Sequence, residues 1–443
     1  MAGTATAAGA PAAGIVRNRW TQLVVGIFTM VMIANLQYGW TLFVDPINEK
    51  MNFGRPFIVG LLSTFILFET WLVPFEAYLV DRFGPSLLVA VGGVLVGLAW
   101  WINSFATSQV VFTLAAVLGG IGGGIVYGTA VGSALKWFPD RRGLAAGLTA
   151  AGYGAGSAAT VIPIANLIQS NGYQTAFAWF GIAQGLLVIV GALLLRVPRK
   201  GEVPAAAAAP TVRQTTRDYT PLQTIKTPVF WLMYLMMTLI GVGGLMATGV
   251  LASVAKDLGV DKSNVNLGFA AIAVVPFALS LDRILNGVTR PFWGWVSDHI
   301  GRERTMTLAF GLEACAILVF LLTWDNPLLF AICSGLAFFG YGEIYSLFPA
   351  TSADLFGRSF ATTNYGLLYT SKGLASLLIP VGAVIQSVTN SWTPVFATAV
   401  VFDLIAATLA LTLLRRLATA HLARAAMPEQ APAFVPAVAG GSE

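Results

Sequence analysis

Apolar residues in this chain run for long stretches broken by short polar segments, and the alternation repeats almost from end to end. A run of about 20 apolar residues is enough to cross a bilayer as a helix. Twelve such runs lie near 20–45, 56–80, 85–105, 108–136, 142–168, 174–196, 228–255, 265–296, 303–324, 327–353, 361–388 and 392–414. In lipid, helices satisfy their own backbone hydrogen bonds, so the pattern predicts an all-α polytopic membrane protein. Residues 1–16 are small and Ala-rich and residues 428–443 are Pro- and Ala-rich; neither can bury an apolar face, and both are expected to be disordered. Between the sixth and seventh runs, Arg196 to Lys226 holds six basic residues and the Pro-Ala run Pro204–Pro210. That composition predicts a flexible linker. The expected divisions are a tail at 1–19, a six-helix bundle at 20–196, the linker at 197–227, a second six-helix bundle at 228–416 and a tail at 417–443.

The two bundles repeat a motif. Ala77-Tyr-Leu-Val-Asp81-Arg82-Phe-Gly84-Pro85 follows the second run, and Gly294-Trp-Val-Ser-Asp298-His-Ile-Gly301-Arg302 follows the eighth, with both the Asp pair and the Gly pair 217 residues apart. A duplicated six-helix unit explains the offset. Here the sequence resembles the major facilitator superfamily, whose inter-helix motif is a small residue, three others, Asp, two others, Gly and a basic residue. The first copy departs from it, with Ala77 for the usual Gly and Pro85 at the basic position. The resemblance implies two pseudo-symmetric halves that rock about a central site, with Asp81, Gly84, Gly294, Asp298, Gly301 and Arg302 governing gating. Gly makes the tight turn, and Asp accepts from a helix N-terminus or an Arg.

Composition agrees with this reading: 56% of residues are hydrophobic, 10% are charged and mean hydropathy is +0.76. Soluble domains carry about 25% charged residues. With both ends placed inside, 18 of the 25 Lys and Arg fall in cytoplasmic segments, and Lys50, Arg55, Lys256 and Lys262 fall outside. This positive-inside bias sets the expected orientation. It also accounts for the basic pI without any nucleic-acid partner. The first run continues through Gln37, Tyr38 and Trp40 without a cleavage site and is expected to be a retained helix of a bacterial inner-membrane protein. Cys315 and Cys333 fall within runs, so no disulfide or metal site is expected. His299 and His421 are the only histidines and both lie at the membrane edge, which argues against a membrane-embedded enzyme. The Gly-rich stretches Gly119–Gly124 and Gly147–Gly156 lack the context of a phosphate loop; their spacing suits close helix packing in lipid.

Three basic residues are left inside the membrane: Arg283, Arg290 and Lys372. A cation there costs roughly 2.5–3.5 kcal/mol on insertion scales, so it calls for a partner or a ligand. Asn286 is one helical turn before Arg290, so an amide and a guanidinium share a face. A planar guanidinium suits a carboxylate, to which it donates two parallel hydrogen bonds. The competing reading pairs Arg290 with an acid such as Asp282 or Glu343. In the eleventh run Tyr365, Tyr369, Lys372 and Ser376 form one polar stripe. Gln37, Tyr38, Trp40, Tyr127, Tyr153, Tyr341 and Tyr345 lie at similar depth, as an aromatic and amide box for a small anion.

These residues carry a closer resemblance. Gln37-Tyr38, Gly-Ile-Val-Tyr127-Gly, Trp137-Phe-Pro-Asp-Arg-Arg-Gly143, Ala-Ala-Gly-Tyr153-Gly, Asn286-Gly with Arg290-Pro-Phe-Trp-Gly294, Tyr345-Ser-Leu-Phe-Pro349 and Asn364-Tyr365-Gly with Lys372 look like the bacterial oxalate:formate antiporter family. The likeness implies that Arg290 and Lys372 bind the carboxylates of the cargo while aromatics sandwich it, with no cofactor, in a carrier functional as a monomer. Tyr341 and Tyr369 stand where Trp is expected, and Val59 where Gln is expected. Extra acids, Glu69, Asp282 and Glu343, are candidates for carrying protons or balancing the cations. The expected function is secondary exchange of small carboxylates of the oxalate/formate type, the alternative being proton-coupled monocarboxylate symport. Either way, the expectation is of two buried cations discharged only by the arriving anion.

Overall fold

A computed structural model describes residues 18–138, 142–199, 202, 214–215, 217–266, 271–357 and 360–426. The first half consists of α1 (Arg19–Tyr38), α2 (Thr41–Met51), α3 (Arg55–Trp71), α4 (Val73–Phe83), α5 (Pro85–Phe105), α6 (Gln109–Trp137), α7 (Arg142–Ala155), α8 (Val161–Asn171) and α9 (Tyr173–Leu194). A short helix, α10 (Pro221–Thr224), leads into the second half. This comprises α11 (Pro228–Asp257), α12 (Val274–Ile300), α13 (Arg302–Thr323), α14 (Pro327–Tyr341), α15 (Ile344–Phe356), α16 (Ala361–Ser376), α17 (Ile379–Thr389), α18 (Thr393–Leu409) and α19 (Arg415–Ala425).

Several predicted spans are two helices in line. Pro74, Pro163 and Pro380 sit just inside α4, α8 and α17. Proline donates no N–H and crowds the residue before it, so each marks where one helix stops and the next begins. Counted across such breaks, ten helices among the described residues are long and apolar enough to cross a membrane. The α7–α8 pair and α12 are the other two predicted spans. Between Ala155 and Val161 the first is broken, and α12 carries Asp282, Arg283, Arg290 and Asp298.

The eighth span begins later than expected. Residues Asn264–Asn266 (β1) and Ala271–Ala273 (β2) pair antiparallel, with Val265 opposite Ile272, and α12 starts only at Val274. A short apolar run does not separate strand from helix by composition alone. The linker is also less free than its composition predicts. Thr215 N–H donates to the Asp354 carbonyl at 2.8 Å, Tyr219 N–H donates to Phe356 at 2.9 Å, and Thr220 and Gln223 form a reciprocal cap on α10. Its second part is thus docked on α15. The expected disordered tails, 1–16 and 428–443, and the middle of the linker lie outside the described residues.

The halves meet along a seam where α3 packs on α16 and α17, α7 and α8 on α12, and α2 on α11. The backbones come close. Between α3 and α16, Ser63 Oγ donates to the Ser376 carbonyl at 2.5 Å, Ser376 Oγ returns a bond to Ser63 at 3.2 Å, and Trp71 Nε1 donates to the Thr370 carbonyl at 3.0 Å. At Gly287 a Cβ would lie 2.5 Å from that of Ala155, so α12 can cross α7 only because glycine is there. At one end of the seam, Arg55 of α3 ties Asp45 and Asp257, each at 2.7 Å, and Lys256 pairs with Glu49. The Gly-turn of the repeated motif has the expected left-handed backbone, with φ +84° at Gly84 and +94° at Gly301. Arg302 bonds Asp298 at 2.7 Å and Asp354 at 2.9 Å, so this copy latches α12 to α15 within one half. Gly294 faces Ser346; the Asp81 side chain lies outside the described residues.

Candidate functional site

The buried end of Arg290 organises the middle of the seam. Its NH1 donates to the Ala150 carbonyl of α7 at 2.6 Å, and NH2 donates to Asn286 Oδ1 at 3.0 Å and Tyr38 OH at 3.3 Å. The guanidinium carbon sits 4.4 Å from the centre of the Tyr345 ring, in cation–π range. Room for it comes from Gly154, where a Cβ would lie 2.8 Å from Asn286 Oδ1 and 3.1 Å from the guanidinium carbon. Arg290 Nε is buried and donates to nothing. Neither Asp282 nor Glu343 pairs with Arg290. Asp282 accepts from Ser334 at 2.9 Å, and both Glu343 oxygens are buried without a hydrogen bond.

Lys372 corrects the expectation of two uncompensated cations. Its ammonium lies 2.7 Å from Glu69 Oε2, 2.9 Å from Gln37 Oε1 and 3.1 Å from Tyr369 OH. Tyr153 OH approaches the other Glu69 oxygen at 2.7 Å. Glu69 and Lys372 are 0% and 1% exposed, so this is an ion pair shut away from solvent and spanning the two halves. Aromatic rings wall the site: Tyr127 stacks on Tyr369 at 5.3 Å and 11°, Tyr38 meets Tyr153 at 5.4 Å, and Tyr341 OH bonds Tyr345 OH at 2.6 Å. The same Tyr345 ring stands 5.7 Å from the Lys372 ammonium, so one phenol faces both cations.

Trp40 is not part of this cluster. Its indole donates to the Ile58 carbonyl at 3.0 Å and its ring packs among Phe43 and Phe177. The chain turns at Gly39, between α1 and α2, and carries Trp40 away from Tyr38. Ser376, on the expected polar stripe, is likewise used up at the seam. The residue most poorly anticipated is Arg283. Its guanidinium is clamped between Tyr38 at 4.4 Å and Phe338 at 4.2 Å, and reaches Asp282 at only 4.0 Å. Charge inside an apolar run was the available signal for it.

A family model for the Major Facilitator Superfamily matches residues 22–286 and 278–439. The oxalate:formate antiporter of Oxalobacter formigenes is 33% identical over 365 residues, which is 82% of this chain and 84% of that protein. This chain belongs to the oxalate:formate antiporter family of the major facilitator superfamily. As a member of that family it is a multi-pass membrane transporter and not an enzyme. Other relatives match as well: the MFS-type transporter YhjX of Escherichia coli (strain K12) is 26% identical over 82% of this chain and 86% of its own length. Monocarboxylate transporter 11 of Homo sapiens is 26% identical over 70% of this chain and 63% of its own length.

Proposed function

We propose that this transporter exchanges small carboxylates by alternating access, in the oxalate/formate manner that the name of its Oxalobacter formigenes relative describes. The observation that carries the reading is Arg290: a buried guanidinium at the seam, faced by carbonyl, amide and phenol oxygens and by no carboxylate among the described residues. A cargo carboxylate would take the two-pronged bond that this fork offers. Arg290 is on α12 of one half, while Ala150 and Tyr38 belong to the other, so binding there couples to the rocking of the halves. Asn286, Gln37, Tyr127, Tyr153, Tyr341, Tyr345, Tyr369 and Lys372 complete the box. We place both termini and the 197–227 connection on the cytoplasmic side of a bacterial inner membrane, on the strength of the charge bias.

In proteoliposomes, uptake of labelled formate or oxalate against internal formate is expected from the wild type and lost in Arg290→Ala. Unchanged uptake in that variant overturns the site. One observation favours proton-coupled monocarboxylate symport as a second reading: the Glu343 carboxyl is buried beyond any hydrogen bond. Uptake that needs a pH gradient and no internal anion decides for that reading.

A further inference from the structure

Glu69 reaches from α3 of the first half to the ammonium on α16 of the second, and stands where one carboxylate of a cargo would otherwise sit. With it the site contains its own anion. The charges at the seam then add up simply. Arg290 and Lys372 are positive and Glu69 is negative; Asp282 and Arg283 are adjacent and offset each other at 4.0 Å. Glu343 and Glu76, the latter close to Glu69, bond none of these groups, and unpartnered carboxyls in such surroundings are counted as neutral. One positive charge is left, on Arg290.

We infer that Glu69 sets the valence of the cargo: by keeping Lys372 discharged it leaves one cation for the ligand, and the site takes small monocarboxylates in preference to dicarboxylate dianions. This rests on the carboxylate-carrier reading and narrows its cargo. A monoanion on Arg290 brings the site to neutrality. A dianion adds an uncompensated negative charge beside the Glu69 carboxylate in a site walled from water, where like charges repel strongly. If the dianion instead takes Lys372 for itself, Glu69 is stranded with Tyr153 as its remaining donor, and a buried charge robbed of its partner is costly. Glu69 therefore acts through Lys372, as a positioning and charge-setting residue. A pair that merely clamped the halves together would alter rates and stability and leave the choice between monoanion and dianion untouched.

The test compares wild type, Glu69→Gln and the double variant Glu69→Gln/Lys372→Gln, purified in detergent. Apparent affinities for pyruvate and formate are set against those for oxalate and malonate by thermal shift at pH 7, with counterflow in proteoliposomes alongside. Wild type is expected to prefer the monoanions at least tenfold. Glu69→Gln, which frees the second cation, is expected to move the ratio at least tenfold towards the dianions. The double variant restores the single charge and is expected to return the ratio to the wild-type side. Wild type preferring oxalate, or a ratio that stays within threefold in Glu69→Gln, overturns the assignment while leaving a carboxylate carrier in place. If Glu69→Gln does not survive purification, a double variant that turns to the dianions overturns it equally. Failure of the wild type to bind any of the four anions removes the carrier reading itself, and this inference with it.

Discussion

At the scale of single residues, the geometry of Arg290 makes a demand that charge alone does not meet. Its fork satisfies Ala150, Asn286 and Tyr38 together while its plane lies over Tyr345. A lysine has a point charge at the end of a flexible stem and cannot hold that set of directions. Arg290→Lys keeps the charge and is expected to lower carboxylate affinity about a hundredfold, the equivalent of roughly 3 kcal/mol of charge-assisted hydrogen bonding, as read by thermal shift. An affinity within threefold of wild type refutes this account. The Asn286–Arg290 pair could be anticipated from its one-turn spacing, because helical periodicity fixes which side chains share a face. The Glu69–Lys372 pair could not. Its partners are 303 residues apart and meet only through the packing of α3 on α16. Trp40 misled for a local reason: its neighbour Tyr38 faces the site, but the turn at Gly39 separates them.

At the scale of elements, hydropathy located the spans and overlooked their breaks, since a transfer scale registers apolar side chains and is blind to a proline's missing N–H. It also carried the eighth span through a hairpin. Where two helices must approach closely, sequence composition was more informative, and Gly373 shows the reason. A Cβ there would lie 2.6 Å from the Trp71 ring and crowd Thr70 as well, so α16 would be lifted off α3. Gly373→Ala is expected to destabilise the protein by about 1–3 kcal/mol, the usual cost of overpacking, and to slow transport. Gly311→Ala is the matched control, because nothing stands within 4 Å of its added methyl group. Equal melting temperatures for the two variants would show that the seam tolerates the extra carbon.

At the scale of the whole molecule, two partly exposed ionic ties across the halves lie together at one end, apart from the buried Glu69–Lys372 pair at mid-seam. Arg55 joins α3 to Asp257 of α11, and Lys256 joins Glu49, whereas Arg302 at the other end holds only its own half. Partly exposed pairs of this kind are worth about 1 kcal/mol or less, enough to bias a two-state equilibrium severalfold. Arg55→Gln is therefore expected to speed alkylation of a cysteine placed at Thr41, which is buried against α11, about threefold at low salt. Added salt should act on the wild type in the same direction. No acceleration means that the tie does not control opening at that end. Trp71 straddles the same boundary: its exposed indole belongs to one half and its hydrogen bond to the Thr370 carbonyl of the other. Parting α3 from α16 has to break that bond and hand the ring a different surrounding. A version of the carrier stripped of its remaining indoles would thus contain its own optical gauge, whose emission keeps time with each turnover and needs no attached dye.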